Sequence, residues 1–104
     1  MLKIEWIKEC IGKESYYFTK HGDTERQNEN ITITEIEEAL LNGRILENYK
    51  DTGRGGSSLM VGFTEMGKPI HIVCGKRGNE LVIITVYIPM PPKFKTPYQR
   101  SNTD

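Results

Sequence analysis

The sequence predicts an α+β fold, with two or three N-terminal helices packed on one face of a four-stranded antiparallel meander. Three observations predict it. Apolar residues before residue 43 recur at helical spacing, and those after it alternate at strand spacing. The stretch from Leu81 to Ile88 is almost continuously apolar, as a central strand covered on both faces should be. At 104 residues the chain has room for one domain and one modest core.

Each element has its own signal. Ile4, Ile7, Cys10 and Ile11 form one helical stripe with Trp6 beside it, and Gly12 is a helix stop. Tyr16 to Thr19 is briefly β-prone. Lys20 to Asn30 is polar throughout and offers no apolar face, so pattern alone leaves it helix or loop. Thr19 is a candidate cap there. Thr32 and Glu35 form a capping box, in which each side chain satisfies the other's free backbone N–H. Ile31 and Ile36 stand at the positions of a hydrophobic staple, Ile33, Ile36, Ala39 and Leu40 make the buried stripe, and Gly43 ends the helix.

Arg44 to Lys50 reads as a strand, followed by a loop rich in glycine and serine from Asp51 to Ser58. Gly67-Lys68 and Gly78-Asn79 are tight-turn candidates. With two-residue turns at both, Leu59, Val61, Phe63, Ile70, Ile72, Leu81 and Ile83 share the face that buries the helices. His71 then opposes Thr64 and Val86 and shares the second face with Val82, Ile84 and Val86, while Tyr87 faces the other way. A one-residue change in loop length swaps these faces. The second face is too apolar to stand in water, so the tail, a second subunit or a partner must cover it. Pro89, Pro91, Pro92 and Pro97 argue against a regular element beyond Ile88. The expected organisation is a helix extension at 1–15, one domain at 16–94 and a flexible tail at 95–104.

Composition narrows the class. Charged residues are 27% and hydrophobic ones 37%, and no apolar run reaches the ~20 residues of a membrane span. The opening residues fit neither a signal nor a transit peptide, so a cytoplasmic protein without membrane contact is expected. Cys10 and Cys74 are expected as free thiols, and no metal or other cofactor is expected. Net charge is zero but uneven: residues 1–51 hold 7 Lys/Arg and 11 Asp/Glu, and residues 52–104 hold 7 and 3. An acidic half and a basic half can orient an anionic ligand, although polar helices often carry glutamate without function.

Few motifs carry chemistry. Asp51-Thr52-Gly53 matches an aspartic-protease tripeptide but lacks apolar neighbours. Gly53 to Ser58 lacks the Gly-Lys-Ser/Thr of a phosphate-binding loop. On a helix, His21 and Glu25 stand one turn apart, an arrangement suited to acid–base work. Against that, Thr19 and His21 can simply cap a helix. His71, mid-strand, reads first as a half-buried structural histidine. Tyr87 closes the central strand.

The order of short blocks then becomes informative. Phe18-Thr19-Lys20-His21-Gly22, Glu25-Arg26, Ile31-Thr32, Ile36 to Leu40, Gly43, Ile45, Glu47 and Tyr49 resemble the bacterial family called domain of unknown function 4258. Pro69 to Val73 and Ile84 to Pro89 continue the resemblance, which spans roughly residues 16–94. Gly22 departs from the usual alanine and Asn30 from the usual glycine. The family is similar to the plasmid toxin group that includes RelE-like and BrnT-like ribonucleases. That resemblance implies metal-independent RNA cleavage and a protein antitoxin as partner. Such chemistry needs a base, an acid and cations for the phosphorane. The candidates are His21, Arg26, His71 and Tyr87 for catalysis, and Arg54, Lys76 and Arg77 for substrate. The alternative is a non-catalytic domain binding a protein or small ligand, or a second copy of itself, through the apolar second face. Zero net charge favours the alternative, and the basic C-terminal half favours the nuclease.

Overall fold

The computed structural model describes residues 2–50 and 55–101. Among these residues, three helices and a mixed five-stranded sheet form the body, with a separate two-stranded hairpin after it. The helices are α1 (Ile4–Gly12), α2 (Lys20–Asn28) and α3 (Ile33–Asn42). The strands are β1 (Tyr16–Phe18), β2 (Arg44–Tyr49), β3 (Ser57–Phe63), β4 (Pro69–Arg77), β5 (Glu80–Tyr87), β6 (Phe94–Thr96) and β7 (Gln99–Arg100). The main sheet runs β1-β5-β4-β3-β2. Strands β2 to β5 follow one another antiparallel, as expected. The fifth strand is the correction: β1 adds parallel to β5, pairing Tyr16 to Phe18 with Leu81 to Ile83. Three residues could not signal their own pairing, which comes from the free edge that β5 offers.

The core lies between α1, α3 and one sheet face. Ile7, Cys10 and Ile11 from α1 meet Ile36, Ala39 and Leu40 from α3, over Met60, Ile70, Ile72, Cys74, Leu81, Ile83 and Val86. The capping box is present, with the Glu35 N–H donating to Thr32 Oγ1 at 3.1 Å and the Thr32 N–H to Glu35 Oε1 at 2.9 Å. Ile31 and Ile36 are buried as a staple requires, but Ile33 lies outside the stripe, 43% exposed. Gly62 lets α3 sit directly on β3, since a Cβ there would fall 1.9 Å from the Ala39 carbonyl oxygen.

Two features overturn the expected faces. The β3–β4 connection is five residues long, with Phe63 opposite Pro69. This offset differs from a two-residue turn by an odd number, so Met60 faces the helices while Leu59, Val61 and Phe63 turn to the outer face. The β4–β5 turn has the expected two residues, but Ile84 is a bulge between the Val73–Thr85 and Cys74–Ile83 pairs. A bulge inserts one unpaired residue and reverses the alternation beyond it. Ile83 and Val86 therefore both enter the core, and Tyr87 lands opposite His71.

Helix α2 solves a different problem. Its only buried residue is Gly22. It covers the edge of β5 beyond the reach of β1, through polar side chains. The Val86 N–H donates to Glu25 Oε1 at 3.0 Å and the Ile88 N–H to Glu29 Oε1 at 3.4 Å, while the Thr19 hydroxyl donates to the Ile84 carbonyl at 3.2 Å. A Cβ on Gly22 would stand 2.7 Å from the Ile83 carbonyl oxygen, so glycine permits this approach. A polar helix laid along an open edge blocks strand addition there.

The tail covers the outer face of the sheet. It forms the β6–β7 hairpin where a flexible extended segment was expected, with Phe94 opposite Arg100 and Thr96 opposite Gln99. Phe94 is buried, and its ring centroid lies 4.4 Å from that of His71. The prolines stand outside the two short strands, so they do not prevent the pairing.

Candidate active site

A bulge in β2 as well as in β5 aligns polar residues on the outer face. Leu46 is the extra residue in β2, so Arg44 opposes Val61 and Glu47 opposes Leu59 on the same side. Val61 in turn opposes His71, and His71 opposes Tyr87. Arg44, Glu47, Tyr49, His71 and Tyr87 thus face the hairpin.

His71 sits at the centre, fully buried. Its Nε2 lies 2.6 Å from the Pro97 carbonyl oxygen, which can only accept, so Nε2 carries the hydrogen. Its Nδ1 then accepts from the Tyr87 hydroxyl at 3.2 Å. Burial pushes the imidazole below its ordinary pKa, against the Pro97 carbonyl, which favours the charged form. His71 is accordingly neutral at pH 7. Burial also pushes the Tyr87 phenol up to about 12, so Tyr87 keeps its proton.

A charged pair holds the hairpin beside them. Arg100 donates to Glu47 through Nε at 2.6 Å and Nη2 at 2.8 Å, a two-point contact. Hydrogen bonding from Arg100 holds the Glu47 carboxyl at about 2, and the Tyr49 hydroxyl donates to it at 2.7 Å. Three cations rest on rings: Arg44 over Tyr98 at 4.3 Å, Lys93 over Tyr87 at 5.2 Å and Arg100 over Phe94 at 4.9 Å. Cations set on aromatic faces suit an anionic ligand with planar groups. Charge is uneven along the sequence: residues 2–42 hold nine Asp/Glu and five Lys/Arg, whereas the described residues from 44 onward hold three and eight. Of those eight, Lys68 and Lys76 lie toward the helices, against Glu35 and Trp6.

The expected site residues divide between two places. His71 and Tyr87, expected on opposite faces, are joined by the β5 bulge. His21 and Arg26 stand on α2. His21 Nε2 lies 3.2 Å from Glu25 Oε1, and its side chain is 66% exposed. Arg26 is bound to Asp23 at 2.7 Å and lies 5.7 Å from the Phe18 ring, tying α2 to its neighbours. Among the described residues no hydrogen bond or ion pair joins the two histidines. Lys76 and Arg77 lie at the far end of β4, roughly 20 Å along the strand from His71. Lys76 faces the helix side, 5.4 Å from the Trp6 ring, and the Arg77 Nη1 donates to the Lys76 carbonyl. Arg54 lies outside the described residues.

Glu47, Lys93 and Arg100 were missed as site residues. Glu47 and Tyr49 did carry a signal, since alternate residues of a strand share a face. Nothing in the sequence places Arg100 against Glu47, because the contact spans 53 positions.

The fold and site together define a small α+β domain with a covered His–Tyr pair on a basic, aromatic sheet face. The chain belongs to the family described as Domain of unknown function (DUF4258), whose model matches residues 18–88. That span contains His71, Tyr87 and all of the main sheet except Tyr16 and Tyr17, but not the hairpin. No curated protein and no solved structure matches the chain.

Proposed function

We propose that this chain is a metal-independent ribonuclease of the RelE-like and BrnT-like toxin kind, cleaving RNA on the outer face of the sheet. The observation that carries this reading is the His71–Tyr87 hydrogen bond, set among cations that rest on aromatic rings. The site differs from the two-histidine arrangement that the sequence suggested, and His21 and Arg26 become structural.

The chemistry follows from the pair. The ribose 2′-oxygen attacks the adjacent phosphorus, the bond to the 5′-oxygen breaks, and a 2′,3′-cyclic phosphate forms. His71 acts as its Nδ1–H tautomer, not as the Nε2–H form that the Pro97 carbonyl selects: Nε2 takes the 2′-hydroxyl proton while Nδ1–H passes its own proton to Tyr87, which gives its hydroxyl proton to the leaving 5′-oxygen. The proton count balances, and no other reactant is needed. A phenolic oxygen both donates and accepts, so Tyr87 supports the required tautomer of His71. Lys93 and Arg100 stand where they can stabilise the phosphorane charge. Arg44, on β2, offers its guanidinium plane for a base to stack on. A protein antitoxin is the partner this reading expects.

The test is purified protein against single-stranded RNA, with cyclic-phosphate ends as the readout, and induced expression with growth as the second measure. Wild type should cleave and slow growth. Tyr87→Phe and Lys93→Ala should lose most of the activity, and His21→Ala should retain it. Absence of cleavage and of growth arrest by wild type refutes the proposal.

One observation favours a second reading, a non-catalytic domain binding a protein or small ligand. His71, Glu47 and Arg100 already satisfy one another or the hairpin. Under that reading Tyr87→Phe alters stability and leaves cells growing normally.

A further inference from the structure

The nuclease reading leaves one requirement open: His71 Nε2 must reach a ribose hydroxyl, yet the Pro97 carbonyl occupies it at 2.6 Å. The occupying group belongs to the hairpin, and the way the hairpin is attached is informative. Among the described residues it shares no ladder with the main sheet. One ring is buried, that of Phe94, and Thr96, Tyr98, Gln99 and Arg100 are exposed. Among the described residues its other anchors are the His71–Pro97 hydrogen bond, the Arg100–Glu47 pair and Tyr98, which lies 5.9 Å from Phe63 and against Arg44. A unit held by a few side chains, and joined through residues 88–93, can lift without breaking the sheet.

Resting on the nuclease reading, we propose that the β6–β7 hairpin is a lid over the His71–Tyr87 pair, closed in this structure and opened by the RNA itself. The lid carries Lys95 and Arg100, and Lys93 stands in the segment leading to it. Among the described residues Arg100 pairs with the Glu47 carboxylate, and a phosphate is a competing anion for the same fork. RNA therefore binds the lifted hairpin better than the docked one, which is the differential affinity an opening needs. Lifting withdraws the Pro97 carbonyl and bares Nε2 beside the Tyr87 hydroxyl. Without RNA the catalytic pair stays sealed.

The two histidines provide the assay, since His21 is an exposed internal reference and His71 is sealed. Diethyl pyrocarbonate modification of the full chain, read by mass spectrometry, should label His21 readily and His71 slowly. Phe94→Ala should raise the His71 rate at least about tenfold, because truncating a buried phenylalanine weakens docking by more than one decade, while His21 is unchanged. Glu47→Gln, which keeps the apolar anchor, is the second variant and should give a smaller rise. Unfolding midpoints confirm that both variants are folded. Both should also cleave RNA faster at low RNA concentration. His71 labelled as fast as His21 in wild type, or still protected in both folded variants, overturns the lid. His71 bared without faster cleavage overturns its gating role. Absence of cleavage in every form instead refutes the nuclease reading, and the labelling then measures hairpin movement alone.

Discussion

The Tyr87 hydroxyl lies 3.2 Å from His71 Nδ1, on one face of the sheet, because Ile84 is an extra residue in β5. Without that bulge the same strand would set Val86 opposite His71 and turn Tyr87 toward the helices. The hydrogen bond thus depends on one unpaired residue.

Removing the hydroxyl should cost stability as well as activity. Tyr87→Phe leaves buried Nδ1 of His71 without a donor, a loss of about 1–2 kcal/mol. Urea unfolding measures it. An unchanged midpoint would mean that water replaces the hydroxyl.

His71 should make the fold sensitive to mild acid. Burial lowers its folded-state pKa from 6.5, so the unfolded chain binds the proton more readily. Stability is then full above pH 6.5 and falls as pH drops through the folded value. Unfolding curves from pH 7.5 to 5 should show this decline, and His71→Asn should flatten it.

The Glu47–Arg100 pair should act in a lower window. Its carboxyl has a pKa of about 2 in the fold against an ordinary 4.5, so its contribution is present above pH 4.5 and lost as pH falls toward 2. The side chains are 28% and 44% exposed, so solvent screening keeps the effect below about 1 kcal/mol. Protection of the hairpin amides, relative to the unstructured exchange rate at each pH, should fall over this range in wild type. Glu47→Gln should show low protection throughout.

The edge cover supplied by α2 predicts a different failure. Glu25→Ala leaves the Val86 N–H without its carboxylate and opens the β5 edge. Stability should drop by about 1 kcal/mol, and concentration-dependent association should appear by light scattering. Glu25→Gln, whose amide oxygen can still accept, should behave nearly as wild type.

Packing sets the last expectation. Gly62→Ala drives a Cβ into the Ala39 carbonyl and should cost about 3 kcal/mol. Gly67→Ala meets no atom within 4 Å, but its φ of 82° is left-handed, so its cost should be nearer 1 kcal/mol. Thermal unfolding of the two variants ranks them.

By itself the sequence determined what is local: helices α1 and α3 with their stripe and capping box, the order of the antiparallel strands, and the turn at Gly78-Asn79. Each is set by spacing or by a short-range hydrogen bond, and each is present in the structure, except that Ile33 stands outside the α3 stripe. It also determined that the outer face needed a cover. Tertiary structure decided the rest. The polar run from Lys20 has no apolar face because its partner is a strand edge, whose backbone groups want carboxylates rather than methyl groups. The faces of β3 and the end of β5 turned on a loop length and one bulge, each an odd offset that reverses every side chain beyond it. The candidate site therefore lay beyond local reading, since His71, Tyr87, Glu47 and Arg100 meet only when strands distant in sequence pair and the tail folds back over them.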